Sequence, residues 1–367
     1  MDERGGQCDG SGGYGALMAR ILTTGYESGD LLELGTIVGG NLSVVNTNPT
    51  PRFGGGYCLK CNLPNGSTNQ YKQYQLPAPI TELWVRLGFW TNITNGETAF
   101  LGLFDSANGG QVCVTFQGNS DFQFHLRQGW SYNGNQLAQS SLTGGYPINT
   151  WHLVELRWQA SSITTGICEL WINGTRVINF SGDNTATANV NVQYVGVGGN
   201  AYFTPGINAI DDLAVNDTTG TVNNARVGDG RVILLTPNAA GASTALNRGG
   251  TDTGTNYGQV SEVPPSMAQY VTSGNIGDRD LYNLTDAPTT TLAVNSIELV
   301  ALAALSDVGP GQLGLVIQSG PSVSEGTAQA LSSSPAYYRN RWEIDPNTGA
   351  AWTLNAVNQL QAGVTVR

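Results

Sequence analysis

Apolar and polar side chains alternate in short segments along most of the chain from residue 18 onward. The pattern is regular in four segments, 83–90, 112–116, 122–127 and 154–158. A repeat of two residues is typical of β-strands that bury one face of a sheet. We therefore predict sheets of this kind, and we place His125 and His152 on the solvent-facing side of their strands.

A tight hairpin is predicted within residues 167–180, whose sequence is ICELWINGTRVINF. Two apolar strands flank the dipeptide Asn173-Gly174. A two-residue turn of type I′ requires positive φ at both central positions, and Asn and Gly adopt that conformation most readily. Further along, residues 207–217 predict another strand that ends in a polar turn.

The composition becomes fully polar beyond this strand, and we place a domain boundary there. The first domain is predicted over residues 18–217, a linker over 218–230 and a second, β-rich domain over 231–367. Strands of the second domain are predicted at 297–305, 313–318 and 336–343. One short C-terminal helix is predicted, with Thr353 as its N-cap and Gly363 after its end.

The first residues, 1–17, form a glycine-rich arm with almost no large apolar side chains. Ordering each residue costs ~1–2 kcal/mol of conformational entropy, and this arm has little to bury in return. We therefore expect the arm to order only against another surface, as an assembly element. The candidate contact residues of the arm are Asp2, Glu3, Arg4 and Tyr14.

Composition supports an all-β protein with many turns. Glycine accounts for 49 of the 367 residues, and only 12% of the residues are charged. The net charge of −11 argues against binding nucleic acid through phosphate contacts. No apolar run approaches the ~18 residues of a membrane span, so we expect no membrane insertion.

The start of the sequence and the cysteines bear on the cellular compartment and on cofactors. The start of the sequence lacks the basic residues and apolar core of a secretion signal, so we expect none. The five cysteines are Cys8, Cys58, Cys61, Cys113 and Cys168. A zinc site would need a second cysteine pair or histidines at matching spacing, and neither is present. We expect five buried free thiols, no metal and no cofactor.

Residues 147–217 carry a series of motifs, PINTWHLVELRWQ, ELWINGTRVINF, YVGVGG and INAIDDLAVND. This series resembles the core of LamG and concanavalin A-like jelly-roll domains. The segments 25–30 and 52–62 resemble the opening strands of the same family. The resemblance implies an all-β protein, with a jelly-roll sandwich over residues 18–217 followed by the second β-rich domain.

Three other segments, 212–232, 277–284 and 337–364, are similar to virion proteins of tailed bacteriophages. That resemblance implies a structural component of the particle, either a head decoration or part of a tail fibre or tail tip. It implies a protein without enzymatic activity that is assembled in the host cytoplasm. Its partners would be other virion proteins and copies of itself, with a homotrimer expected because such proteins are often threefold.

The leading alternative is a carbohydrate-binding adhesin that recognises a host surface glycan. The polar loop 128–136 carries Trp130, Tyr132 and Asn133, and sugars pack on aromatic faces while polar groups take their hydroxyls. We treat these three residues as candidate glycan contacts. The opposing interpretation is that Trp130 folds back over the edge of the sheet, because tryptophan is highly buried on average.

A glycoside hydrolase is the third alternative, and it needs two carboxylates about 5 Å apart on one face. Glu343 and Asp345 are the nearest candidates, but they lie outside the LamG-like region and precede a proline. Asp211 and Asp212 are adjacent in a strand, and we expect them to face opposite ways. A rim calcium site using Asp211, Asp212 and Asp217 is conceivable, but we favour their role as hydrogen-bonded caps.

Overall fold

A computed structural model describes residues 19–65, 68–119, 121–141, 145–202, 205–250, 254–291, 293–306 and 311–367. The arm residues Asp2, Glu3, Arg4 and Tyr14 lie outside the described residues, as does Cys8. The arm's role in assembly and the homotrimer therefore stay predictions. The described chain is nearly all β, with antiparallel sheets and two short helices, which confirms the predicted fold class.

Strands β1 to β15 occupy the first part of the described chain. They are β1 (Arg20–Thr24), β2 (Thr36–Val38), β3 (Leu42–Val45), β4 (Cys58–Leu63), β5 (Thr68–Ile80), β6 (Glu82–Thr91), β7 (Glu97–Phe104), β8 (Gly110–Gln117), β9 (Gln123–Gln128), β10 (Gln136–Gln139), β11 (His152–Gln159), β12 (Gly166–Ile172), β13 (Thr175–Gly182), β14 (Val192–Tyr202) and β15 (Gly206–Asn216). They form two sheets that face each other across one hydrophobic core.

The two sheets have interleaved strand orders. The eight-stranded sheet follows the order β13-β12-β11-β6-β15-β4-β3, with β1 also paired to β15. The seven-stranded sheet follows the order β10-β9-β8-β7-β14-β5-β2. Neighbours that are distant in sequence, such as β14 beside β5, are typical of a jelly-roll sandwich. Phe89 of β6 and Phe100 of β7 stack between the sheets with ring centroids 3.7 Å apart.

The predicted hairpin is present between β12 and β13. Asn173 and Gly174 have φ values of 51° and 82°, as the two-residue turn requires. The side chain of Asn173 accepts a hydrogen bond from the backbone N–H of Leu153 at 2.9 Å, which fixes the turn against β11.

The exchange Gly174→Val is expected to lower the free energy of unfolding by about 1 kcal/mol or more, because a β-branched residue is strained at positive φ. No atom lies within 4 Å of a Cβ added at Gly174, so the loss would come from the backbone alone. Urea denaturation followed by circular dichroism measures it. Gly40→Val is the matched control, since that site is equally open but has no positive φ. Equal losses in both variants would contradict the expectation.

The second part of the chain contains strands β16 to β25 and two short helices. They are β16 (Pro237–Thr244), β17 (Asn247–Gly250), α1 (Asn256–Gln259), β18 (Gln269–Thr272), β19 (Arg279–Leu284), β20 (Ile297–Ala303), β21 (Gln312–Ser319), β22 (Ser322–Glu325), β23 (Gln329–Ala330), β24 (Ala336–Trp342), α2 (Leu354–Asn358) and β25 (Gln361–Val366). A six-stranded sheet of β16, β19, β25, β21, β22 and β23 builds a separate core with the β20–β24 pair and α2.

The C-terminal helix is shorter than predicted. The side chain of Thr353 accepts a hydrogen bond from the N–H of Ala356 at 3.1 Å, so Thr353 is the N-cap as predicted. Gly363 does not end the helix, since the helix stops at Asn358 and Gly363 lies within β25. A Cβ atom at Gly363 would overlap the backbone carbonyl of Asp280, so glycine serves close strand packing there.

The second core is bound to the first through β1. The backbone N–H groups of Ala19 and Arg20 donate to the carboxylate of Glu343 at 3.1 and 2.8 Å. The hydroxyl of Tyr337 donates to Asp30 at 2.6 Å. Glu343 of the second part of the chain therefore binds the backbone at the start of β1 in the sandwich. The domain boundaries predicted from the sequence stay predictions.

Candidate functional site

The outer face of the seven-stranded sheet points away from the eight-stranded sheet and carries the loop of residues 129–135. Two strand glycines make room for aromatic rings on this face. A Cβ atom at Gly102 would overlap the ring of Trp130, and one at Gly196 would crowd the ring of Phe104. Glycine inside a strand often marks such a close approach.

Trp130 packs against this face in an aromatic cluster, where its ring is edge-on to Tyr71 and tilted to Phe104. Its ring is 5.1 Å from that of Tyr71 and 5.6 Å from that of Phe104. Tyr71 and Phe104 stack on each other with centroids 5.7 Å apart. The indole Nε1–H donates to Asn69 Oδ1 at 3.0 Å, and Asn200 Nδ2 donates to the Trp130 carbonyl at 3.4 Å. The ring therefore has a fixed orientation and stays partly exposed.

The three predicted glycan contacts lie on one loop of the outer face. Trp130 does fold back over the sheet, as the opposing interpretation held, yet its ring remains half-buried. Tyr132 is half-buried, and Asn133 is exposed, with its backbone N–H bound to the hydroxyl of Ser131. Their role in sugar binding stays a prediction.

A charged network lies beside the aromatic cluster. The Glu97 carboxylate accepts two hydrogen bonds from Arg127, both at 2.7 Å, one from the hydroxyl of Thr115 and one from His125 Nδ1 at 3.1 Å. Burial alone would raise the pKa of Glu97, but the hydrogen bonds from His125, Arg127 and Thr115 outweigh it and lower the pKa to about 2. Glu97 is therefore ionised over the whole physiological range. No pattern in the sequence indicates this network, because its members are brought together only by strand pairing.

Both histidines are buried, so their predicted solvent exposure is wrong. His125 is on the outer face as predicted, but the Glu97 network covers it and leaves it 3% exposed. His152 faces the core, where its ring packs edge-on against Phe124 and Tyr146. Burial lowers the pKa of His152. In β11, His152 lies on the same face as the buried apolar residues of the strand. Its assignment to the polar face was therefore an error in reading the alternation.

A second concave feature is an acid cleft of about 250 Å³ at the junction of the two parts of the chain. Its lining combines carboxylates with aromatic, apolar and cationic side chains. The lining residues used below are Glu27, Phe53, Tyr57, Asp211, Asp212 and Arg231. Burial is the main cause that raises the pKa of Glu27, and of Asp211 next to Asp212, to about 8. Both groups therefore retain a proton to higher pH than an ordinary carboxyl group does.

Asp211 and Asp212 line the same cleft, so the prediction that they face opposite ways is wrong. The register of β15 shifts between Asp211 and Ala214, and Asp212 has a φ of 52°. Such a bulge turns a side chain out of the regular alternation. As a result, both carboxylates bind Arg52: Asp211 accepts from its backbone N–H at 2.9 Å and Asp212 from Nη1 at 3.4 Å.

The other candidate acids have structural roles. Glu343 binds the backbone of β1, and Asp345 accepts the N–H of Asn347 at 2.9 Å in a turn. Asp217 accepts the N–H and hydroxyl of Thr219 at 2.8 and 2.7 Å. Among the residues that the structure describes, no three His, Cys, Asp or Glu side chains cluster closely enough to hold a metal ion.

The four described cysteines, Cys58, Cys61, Cys113 and Cys168, are buried free thiols. Burial raises the pKa of Cys58, Cys113 and Cys168 to about 12, so these thiols are unreactive at neutral pH. No described helix is long and apolar enough to cross a membrane.

No family model matches the chain. No curated protein matches it in sequence. Solved structures do match. An endo-β-1,4-glucuronan lyase from the fungus Trichoderma reesei is 15% identical over 54% of this chain and 96% of the lyase, with a TM-score of 0.42. The alginate lyase Aly36B is 13% identical over 56% and 98%, with a TM-score of 0.39. A carbohydrate esterase of the Shiga toxin-encoding bacteriophage phi24B is 17% identical over 56% and 100%, with a TM-score of 0.37.

These neighbours are all-β, jelly-roll-like proteins that act on or bind carbohydrate. A transglycosylase and a carbohydrate-binding module from Bacillus subtilis also match. The prediction of a virion structural protein without enzymatic activity is wrong on this comparison. At these identities the likeness extends to the fold alone, so no neighbour's activity is transferred to this chain.

Proposed function

We propose that the chain binds carbohydrate on the outer face of the seven-stranded sheet. The observation that carries the proposal is the half-buried ring of Trp130, which packs against Gly102 and is fixed by a hydrogen bond to the amide of Asn69. A fixed aromatic plane offers the apolar face of a sugar ring a large contact at low entropic cost. The amide of Asn69 is exposed beside the ring and offers further hydrogen bonds to hydroxyl groups. The LamG resemblance of residues 147–217 accords with this proposal.

The exchange Trp130→Ala is expected to weaken binding of a recognised polysaccharide by about tenfold or more, because the aromatic contact is lost. Affinity electrophoresis through gels that contain soluble polysaccharides measures the retardation. Trp171→Ala is the matched control, since Trp171 is also half-buried but belongs to the eight-stranded sheet. Equal retardation of both variants and the parent protein would contradict the proposed site.

The acid cleft supports a second candidate function, general-acid catalysis on a glycosidic bond. The observation that favours it is the position of Glu27 and Asp211 in one cleft with Phe53 and Tyr57, where burial raises the pKa of both carboxyl groups. A carboxyl group kept neutral by burial is the usual acid of such reactions. Release of reducing sugar by the parent protein, and its loss in Glu27→Gln, tests this function. Absence of release from every polysaccharide that the protein retains would reject it.

A further inference from the structure

The acid cleft has an aliphatic wall in addition to its carboxyl groups and aromatic rings. This wall comes from the chain beyond the sandwich and consists of the side chains of Val232, Ile233, Leu234, Val263 and Pro288. Two of them are largely accessible, since Leu234 is 42% and Val263 36% exposed. Exposed apolar side chains that line a concave surface are typical of a ligand site. The aliphatic wall is therefore suited to the apolar part of a ligand.

The sandwich contributes a polar side to the same cleft through Glu27. The half-buried carboxyl group of Glu27 lies against the backbone at Gly56, where a Cβ atom would overlap it. Its Oε2 accepts the N–H of Tyr57 at 3.1 Å, and its Oε1 has no hydrogen bond with a described residue. A hydroxyl group both donates and accepts hydrogen bonds, so it can pair with this carboxyl group in either protonation state.

Arg231 and the ring of Phe53 lie beside this polar side. The guanidinium carbon of Arg231 is 5.5 Å from the centroid of the Phe53 ring. Both side chains are exposed, and the guanidinium group has no hydrogen bond with a described residue. An aromatic face can pack on the apolar face of a sugar ring, while guanidinium N–H groups donate to its oxygens. These groups suit a sugar ring at the polar side.

The charges around the cleft balance, which favours an uncharged ligand. The lining contains three carboxyl groups, those of Glu27, Asp211 and Asp212. Three guanidinium groups are close enough to act on the pKa values of these acids, those of Arg52, Arg86 and Arg231. A charged ligand would meet groups of both signs and would lose its hydration in a partly buried site.

We infer that the acid cleft binds a neutral glycoside with an apolar aglycone, whose hydroxyl groups meet Glu27 and Arg231 and whose aglycone packs on the aliphatic wall. This inference rests on the second candidate function and names the substrate class of that cleft. The cleft volume of about 250 Å³ is slightly below that of pockets for drug-sized ligands. It therefore has room for one sugar ring with a substituent rather than for a segment of polysaccharide.

Isothermal titration calorimetry with methyl, butyl and octyl β-D-thioglucopyranosides and thiogalactopyranosides, all below their critical micelle concentrations, tests this inference. The sulfur linkage resists cleavage, so binding is measured without turnover. Each buried CH₂ group should strengthen binding about two- to fourfold, so an octyl compound should bind about tenfold or more tightly than its methyl counterpart. Octyl sulfate and octylammonium have the same alkyl chain with a charge, and we expect both to bind more weakly than the octyl thioglycoside.

Two variants separate the two sides of the cleft. Leu234→Asp is expected to reduce the ratio of octyl to methyl affinity, because it places a charge in the aliphatic wall. Glu27→Ala is expected to weaken both compounds by the same factor and to leave that ratio unchanged. Ile276→Asp is the matched control, since Ile276 is 80% exposed and lies outside the lining. Circular dichroism verifies that each variant is folded.

The outcomes distinguish the ligand class from the catalytic function. Absence of octyl thioglycoside binding, tighter binding of octylammonium or octyl sulfate, or an unchanged affinity ratio in Leu234→Asp overturns the ligand class. Reducing sugar released equally well from methyl and octyl O-glycosides would overturn the class and retain the catalysis. Octyl thioglycoside binding without release of sugar from the octyl O-glycosides would retain the class and reject the catalysis. Trp130→Ala should leave octyl thioglycoside binding unchanged, because Trp130 is not part of the cleft.

Discussion

Replacing Phe89 by alanine is expected to lower the free energy of unfolding by about 3–5 kcal/mol. Phe89 is fully buried and stacks on Phe100 from the opposite sheet at 3.7 Å. Its ring also contacts Phe116 and Phe124 edge-on or at a tilt. Truncation would remove the transfer energy of the ring and leave a cavity between two paired sheets that have little freedom to close.

Denaturation in urea, followed by tryptophan fluorescence and circular dichroism, measures the loss. Phe53→Ala is the control, because Phe53 is 48% exposed and its ring lies below the guanidinium groups of Arg52 and Arg231 at the surface. We expect that variant to lose less than about 1 kcal/mol. A loss of that small size in Phe89→Ala would mean that the two sheets do not share the core as described.

The second large effect is a stability maximum at weakly acidic pH, about pH 4–5. Glu27 and Asp211 have folded pKa values of about 8, well above those of an unfolded chain. Between the two values the folded state holds protons that the unfolded state has released, so stability falls as pH rises towards 8. Glu97 has the opposite effect, because its folded pKa of about 2 is lower than that of an unfolded chain. Its ionised carboxylate stabilises the folded state, and this stabilisation is lost as pH falls from about 4.5.

Urea denaturation across pH 3–9 measures this profile. Each fully buried group contributes at most about 1.4 kcal/mol per pH unit, and Glu27 contributes less because solvent reaches it. Glu27→Gln is expected to reduce the decline between pH 5 and 8, since glutamine keeps an acceptor for the N–H of Tyr57. Glu262→Gln, at an exposed position, should not change it. Stability that rises from pH 5 to 8 in the parent protein would refute this account.

The fold was predictable because its signals are local. Alternation in segments such as 83–90 depends only on which face of a strand is buried, and the structure has β6 there. The turn at Asn173-Gly174 depends on the backbone preferences of two residues. Gly363 was misassigned because its function is non-local: the chain needs glycine there so that β25 can approach β19.

The sites were less predictable because they depend on irregular or long-range structure. The bulge that brings Asp211 and Asp212 to one cleft breaks the alternation on which the sequence argument relied. Glu97 and His125 are on strands separated by β8, and only the register of three strands brings them together. Trp130 was identified from the sequence because a tryptophan in a polar loop is unusual in itself.

The hydrogen bonds between Glu343 and the backbone of Ala19 and Arg20 have a consequence for synthesis on the ribosome. The donor and acceptor are separated by 323 residues in the case of Arg20. The start of β1 therefore obtains these bonds only after residue 343 has left the ribosome, long after the other strands of the sandwich have been made. Until then its amide groups are available to pair with a neighbouring nascent chain, as unpaired backbone at a sheet edge generally is.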